Sequence, residues 1–189
     1  MSRSGKTHWQ AMKWILRYLQ GTSDACLEFG KNHDTLVGFI DSDYATDLDK
    51  RRSLTGYIFC IGDCAINWKA SLQPVVALSI TETEYMTVTK AIKEVLWLRD
   101  LFGKLFQHQG VTTIYCDSQS TIHLTKDQMY HERTKYIDVK CHFIRDTIAK
   151  GKVLIQKIHM KDNPANMLTK PLPVYKFKQC LDLVGVHCW

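Results

Sequence analysis

The sequence predicts a mixed α/β domain whose sheet is antiparallel in its first part and parallel in its last. Three observations predict it. Short apolar runs alternate with turn residues between positions 25 and 68, and the turns are too short to hold a crossover helix, so these strands pair antiparallel. After Pro74 the apolar period changes from two to about 3.6 over a long segment. The later strand runs, beginning at Thr112 and Val153, are separated by helical patterns, the connection that parallel strands require.

The first element is an amphipathic helix from His8 to Gln20, where Met12, Ile15, Leu16 and Leu19 recur at helical spacing and Gly21 supplies the stop. The runs Ala25 to Phe29, Leu36 to Ile40, Tyr57 to Ile61 and Ala65 to Trp68 give a meander of three or four strands. Val75 to Leu78 then leads into a long helix from Thr81 to about Phe106, with a stripe of Tyr85, Val88, Ile92, Val95, Leu96, Phe102 and Leu105. Thr112 to Cys116 is the next strand, and a helix begins near Ser118. Ile137, Cys141, Ile144 and Ile148 fall at i, i+4, i+7 and i+11, and Gly151 stands where such a helix stops. Val153 to Ile158 is the last strand, and a short helix follows Pro164. No internal repeat or low-complexity linker breaks this order. The one boundary lies before the strand that leads to Asp41, and separates a helix and tether, residues 1–33, from a domain of residues 34–189.

A chain of 189 residues with 45% hydrophobic residues is long enough to bury one core. The net charge of +6, with Lys50-Arg51-Arg52 and Lys176-Phe177-Lys178 as local concentrations, permits a polyanionic partner without demanding one. Seven cysteines with no C-x-x-C pair argue against a disulfide framework and a structural zinc site. Cys141-His142 and His187-Cys188 lack a second pair at zinc-finger spacing. No run reaches the apolar length of a membrane span, and the opening Met1-Ser-Arg-Ser-Gly-Lys lacks the apolar stretch of a secretory signal. No membrane partner is expected, and the expected location is intracellular, cytoplasmic or nuclear.

Three carboxylates stand where a sheet protein places chemistry. Asp41 closes the run from Leu36 to Ile40, and Asp117 closes the run from Thr113 to Cys116. Ligands of open α/β sheets bind beyond the carboxyl ends of the strands, so two such acids on adjacent parallel strands converge. Alternation puts Asp41 on the face of Val37 and Phe39, and Asp43 continues that row into the turn. The third acid comes from the start of the long helix. Two capping boxes fit there, Ser79 with Glu82 or Thr81 with Glu84. Steps of four and three from Glu84 reach Val88, Ala91 and Val95, whereas from Glu82 they reach Met86, Thr89 and Lys93. The faces therefore favour Ser79 as the cap and put Glu84 on the core-facing stripe. A carboxylate aimed at a sheet is costly unless it is paired or coordinates a cation. Oxygen donors select Mg²⁺ or Mn²⁺ over zinc, and two such ions bridged by carboxylates cleave phosphodiesters. The plainer reading is that each acid caps a turn.

These acids lie within stretches that resemble the ribonuclease H region of Ty1/copia retrotransposon polyproteins. The resemblance runs through Gly38-Phe-Ile-Asp-Ser-Asp-Tyr-Ala, Arg52-Ser-Leu-Thr-Gly-Tyr-Ile-Phe, Ile66-Asn-Trp-Lys, Val76-Ala-Leu-Ser, Thr81-Glu-Thr-Glu-Tyr-Met and Glu94-Val-Leu-Trp-Leu-Arg. It continues in Tyr115-Cys-Asp-Ser-Gln-Ser, His131-Glu-Arg-Thr-Lys-Tyr-Ile, Cys141-His-Phe-Ile-Arg and Asp162-Asn-Pro-Ala-Asn-Met-Leu-Thr-Lys. The opening from His8 to Thr22 resembles the segment that joins reverse transcriptase to this region, which makes residues 1–33 a tether from that connection.

The resemblance implies a ribonuclease H-like fold, a five-stranded mixed sheet of three antiparallel strands followed by two parallel ones, flanked by helices. It implies hydrolysis of the RNA strand of RNA–DNA hybrids with two Mg²⁺ (or Mn²⁺) ions, and it makes Asp41, Glu84, Asp117 and Asn166 the metal-binding catalytic set. Ser42 and Gln119 become substrate-binding positions, and His159 an accessory group in the loop after the last strand. The plainer reading of Gln119 is a helix-start residue, and that of His159 and His131 is an exposed loop histidine. The family pattern Asn-Pro-Ala-Asp reads Asn163-Pro-Ala-Asn166 here. An amide offers one carbonyl oxygen and no charge, so its ion is held more weakly. This opens an alternative, a catalytically weakened or inactive module that binds a hybrid or a protein. Tyr44 and Thr46 replace the family's usual Trp and Gly and bear only on the first turn. Trp68, Lys69, Trp97 and Arg99 read as core or solvated face. The RNA–DNA hybrid is the expected partner, with the adjacent reverse transcriptase domain as a second; in isolation a monomer is expected.

Overall fold

The computed structural model describes residues 5–29, 35–106, 110–119, 122 and 135–188. Helix α1 (Lys6–Gly21) precedes a short strand β1 (Ala25–Leu27). Strands β2 (Leu36–Asp43), β3 (Leu54–Ile61) and β4 (Cys64–Leu72) follow, then helix α2 (Ile80–Phe106) and strand β5 (Thr112–Cys116). Helix α3 (Lys135–Ala149) leads to β6 (Val153–Lys157), two 3₁₀ turns (Met160–Asp162 and Pro164–Leu168), helix α4 (Val174–Asp182) and strand β7 (Val186–Cys188).

Five strands form one sheet in the order β4-β3-β2-β5-β6. The first three pair antiparallel, and β5 and β6 run parallel to β2. The expected mixed sheet of three antiparallel and two parallel strands is therefore the one observed. The two-residue link Gly62-Asp63 between β3 and β4 has φ of 54° and 62°, the left-handed pair whose twist matches that of the flanking strands. Gly151, at φ 65°, ends α3 with its N–H on the Ile148 carbonyl.

Period-two alternation covers both faces of the sheet. One face carries Leu36, Ile40, Tyr57, Phe59, Ile114 and Ile155 against Val88, Ile92 and Val95 of α2 and Ile144 of α3. The other carries Val37, Phe39, Ile58 and Cys60 against Met167, Leu168, Val184 and Val186. The C-terminal segment thus packs behind the sheet, and this brings its loop to the end of β2.

Three expectations need correction, and a fourth falls outside the described residues. The run beginning at Ala25 is not part of the meander: β1 pairs antiparallel with β7, with Cys26 opposite His187. Sequence reading missed β7 because three residues are too few to show a period. Strand β2 does not end at Ile40 but continues through Asp41 to Asp43, paired all along with β3. Pro164 opens a 3₁₀ turn, and the α-helix starts ten positions later at Val174. The helix expected from Ser118 lies mostly outside the described residues, as does His131.

Candidate metal-binding active site

Strand register brings the first two acids together. Ile40 and Cys116 are partners in the parallel β2–β5 ladder, so the next residues, Asp41 within β2 and Asp117 just past β5, stand side by side. Asp41 is buried, on the face of Val37 and Phe39. Its oxygens are occupied: the Thr169 hydroxyl donates to Oδ2, and Lys170 Nζ stands 3.0 Å from Oδ1.

Glu84 arrives from α2, and the helix start is fixed in two ways. Ser79 Oγ accepts from the Glu82 N–H at 3.1 Å, while Glu82 Oε2 accepts from the Leu78 N–H, so Ser79 is the cap and Glu84 is left for the cleft. Below it a buried polar cluster ties the helix to the meander. Thr55 and Thr87 share a hydroxyl contact at 2.9 Å, Ser53 and Thr83 another at 3.0 Å, and Gln73 Nε2 donates to Thr55 and to the Thr83 carbonyl. The Ser118 hydroxyl, one position beyond Asp117, donates to Glu84 Oε2 at 2.5 Å.

Asp41, Glu84 and Asp117, with Ser42, Ile40, Thr87, Cys116 and Ser118, line one cleft of about 10 Å³. The acids also feel one another. Burial first, then the negative charge of Asp41, push the Asp117 carboxyl above its ordinary 3.8, while Lys170 works against the rise and Glu84 adds to it. The fourth position, Asn166, is buried beside Asp41 through Lys170, whose Nζ stands 3.1 Å from Asn166 Oδ1. Its Nδ2 donates to the carbonyls of Met160 and Asn163. Asn163 fastens this loop to the sheet by donating to the Ile40 carbonyl at 2.9 Å.

Such a donor set, three carboxylates and one amide oxygen, suits a hard divalent ion in kind. A cation, the Lys170 ammonium, already bridges Asp41 and Asn166. As the side chains stand, no group of three His, Cys, Asp or Glu among the described residues is arranged to hold a metal ion. Other partners occupy the acids instead: Thr169 and Lys170 hold Asp41, and Ser118 holds Glu84.

Gln119 and His159 take other positions. Gln119 is exposed at the rim and accepts from Lys157 Nζ at 2.6 Å, which sets a lysine beside the end of β5. His159 is exposed and caps the first 3₁₀ turn, with Nδ1 accepting from the Lys161 N–H at 3.3 Å. Sequence reading missed Ser118, Lys157, Thr169 and Lys170. Ser118, Thr169 and Lys170 lie inside stretches already quoted for the resemblance, and the i, i+4 spacing of Asn166 and Lys170 is a further signal that could have raised the last of these.

A five-stranded mixed sheet with acids at neighbouring positions of its two central strands and at the start of α2 is that of the ribonuclease H fold. The crystal structure of LC11-RNase H1 in complex with RNA/DNA hybrid matches over 71% of this chain and 93% of that one, with TM-score 0.53 and 11% identity. The structure of Prototype Foamy Virus Protease-Reverse Transcriptase matches over 85% of this chain and 21% of that one, with TM-score 0.51 and 14% identity. No family profile matches. Among curated proteins, the retrovirus-related Pol polyprotein from transposon TNT 1-94 of Nicotiana tabacum is 48% identical over 187 residues, 99% of this chain. That from transposon RE2 of Arabidopsis thaliana is 34% identical over 181 residues, 95% of this chain. The chain belongs with the Pol polyproteins of Ty1/copia-type transposons, and its fold is that of ribonuclease H. It spans 14% and 12% of the length of these two relatives.

Proposed function

We propose that this chain hydrolyses the RNA strand of RNA–DNA hybrids with divalent ions held by Asp41, Glu84 and Asp117 and, through its amide oxygen, Asn166. The observation that carries this reading is the meeting of three carboxylates from β2, α2 and the end of β5 in one cleft. The solved relative in complex with an RNA/DNA hybrid supports it at the level of fold. When bound, two Mg²⁺ or Mn²⁺ ions supply an activated water and stabilise the leaving oxygen.

The chain's own residues do the rest. Asp41, fixed in the β2 ladder, gives the site a rigid base; Glu84, at the start of a long helix, closes it from the other face of the sheet. Ser42 lines the cleft, and Gln119 with Lys157 forms a polar rim able to meet a phosphate or a 2′-hydroxyl. Selection of RNA comes from 2′-hydroxyl contacts across a wide minor groove, with little base preference. Lysine contacts to phosphates make binding fall with salt. The adjacent reverse transcriptase domain is the second partner of this reading.

A labelled RNA–DNA hybrid incubated with the protein in Mg²⁺ or Mn²⁺ tests it. Cleavage appears and falls at least about 100-fold in Asp41→Asn, close to 2.7 kcal/mol of barrier. Cleavage that survives this change, or full chelation by EDTA, rules the mechanism out. The contacts of Asn166 favour a second reading, a weakened module that holds hybrid and cuts slowly, because the amide is spent on two backbone carbonyls and Lys170. Retained hybrid binding without cleavage, in the parent and in Asn166→Asp alike, supports that reading.

A further inference from the structure

Lys170 belongs to no part of the metal set, yet it touches half of it. Its Nζ lies 3.0 Å from Asp41 Oδ1 and 3.1 Å from Asn166 Oδ1, while the Thr169 hydroxyl serves the second oxygen of Asp41. The Asp41 side chain is 3% exposed and that of Lys170 33%. A carboxylate so buried is strongly destabilising without a partner. Lysine has the means to be a removable one: a compact ammonium on a flexible four-carbon stem, with a route to solvent.

We propose that Lys170 is a built-in counter-cation of the metal site. It neutralises Asp41 and steadies Asn166 while the site is metal-free, and it must release both oxygens before a divalent ion takes them. This rests on the metal-dependent reading above and deepens it. Thr169 needs no such exchange, since a hydroxyl on the far oxygen leaves Oδ1 open once the ammonium has turned away. Metal affinity is thereby set by an exchange between a tethered monocation and a free dication, and the fold keeps Asp41 paired in either state.

Lys170→Met keeps most of the stem and removes the charge. In EDTA its Tm falls below that of the parent, because Asp41 loses its counter-charge. In calorimetry it binds Mn²⁺ about tenfold more tightly, equal to 1.4 kcal/mol. Lys161→Met removes the same charge from an exposed position in the preceding turn and leaves the affinity within about twofold. Equal or weaker Mn²⁺ binding by Lys170→Met overturns the proposal. An equal gain in Lys161→Met overturns it too, since the effect is then one of net charge and not of contact. Failure of the underlying metal reading looks different: neither parent nor variants take up Mn²⁺, Asp41→Asn changes nothing, and the exchange falls with it.

Discussion

Asn166 is the residue at which folding and chemistry pull in opposite directions. Its Nδ2 donates at 2.6 Å to the Met160 carbonyl and at 2.9 Å to that of Asn163, bonds no carboxylate can make. Aspartate there supplies the missing charge, but sets an oxygen against two carbonyl oxygens. Asn166→Asp is therefore expected to raise Mg²⁺ affinity and hybrid cleavage while lowering stability in EDTA by about 1–3 kcal/mol. At this chain length each kcal/mol is about 2–4 °C of Tm. Thermal melts with and without Mg²⁺ check both signs together; an unchanged Tm in EDTA means that the two amide bonds carry no weight. The same scale shows what was legible in the sequence. Asp41, Glu84 and Asp117 could be read because each lies within or next to an element whose period is visible around it. Their pairings could not, because Thr169, Lys170 and Ser118 reach them across 128, 129 and 34 positions of chain, and no local pattern records a contact at that range.

Among the elements, the 3₁₀ turn Pro164–Leu168 and strand β3 fit too closely to admit one more carbon. Gly56 pairs with Asp41 in the β2–β3 ladder. A Cβ there would stand 2.7 Å from Thr169 Cγ2 and 3.1 Å from Leu168 Cβ, and the latter moves only with its backbone. Gly56→Ala is thus expected to push the turn off the sheet, taking Thr169 and Lys170 from Asp41. Overpacking of this kind costs about 1–3 kcal/mol. Gly21→Ala, where an added Cβ meets nothing within 4 Å, serves as the control and leaves Tm unchanged. Equal melts for the two variants in EDTA would mean that the turn yields without loss. The long stripe made α2 legible from sequence, and the short turns made the meander so. The β1–β7 pair was not, because each strand has three residues and the partners lie at opposite ends of the chain.

The molecule as a whole divides unevenly between a packed body and its first helix. The direction of the strands followed from connection lengths, since hairpin turns pair strands antiparallel and helical crossovers make them parallel, while the five-stranded sheet itself was what the family resemblance implied. Nothing comparable fixes α1, none of whose residues is buried. Trp9, Met12, Ile15, Leu16 and Leu19 line one side of it, each 46–63% exposed. The described body leaves this stripe uncovered, and in the relatives the matched stretch is one segment of a much longer chain. Strand β1, by contrast, is tied to β7, and Glu28 donates to the Gly185 carbonyl, so chain order beyond Thr22 belongs to the body. Removing residues 1–21 should therefore leave Tm within about 1 °C of the parent, because stability follows buried surface and this helix buries none of its own residues. The same truncation should abolish most of the fluorescence of a dye that reports exposed apolar surface, such as anilinonaphthalene sulfonate. A fall of several degrees in Tm, or unchanged dye fluorescence, would show instead that α1 is packed on the body in solution and that its stripe is already covered.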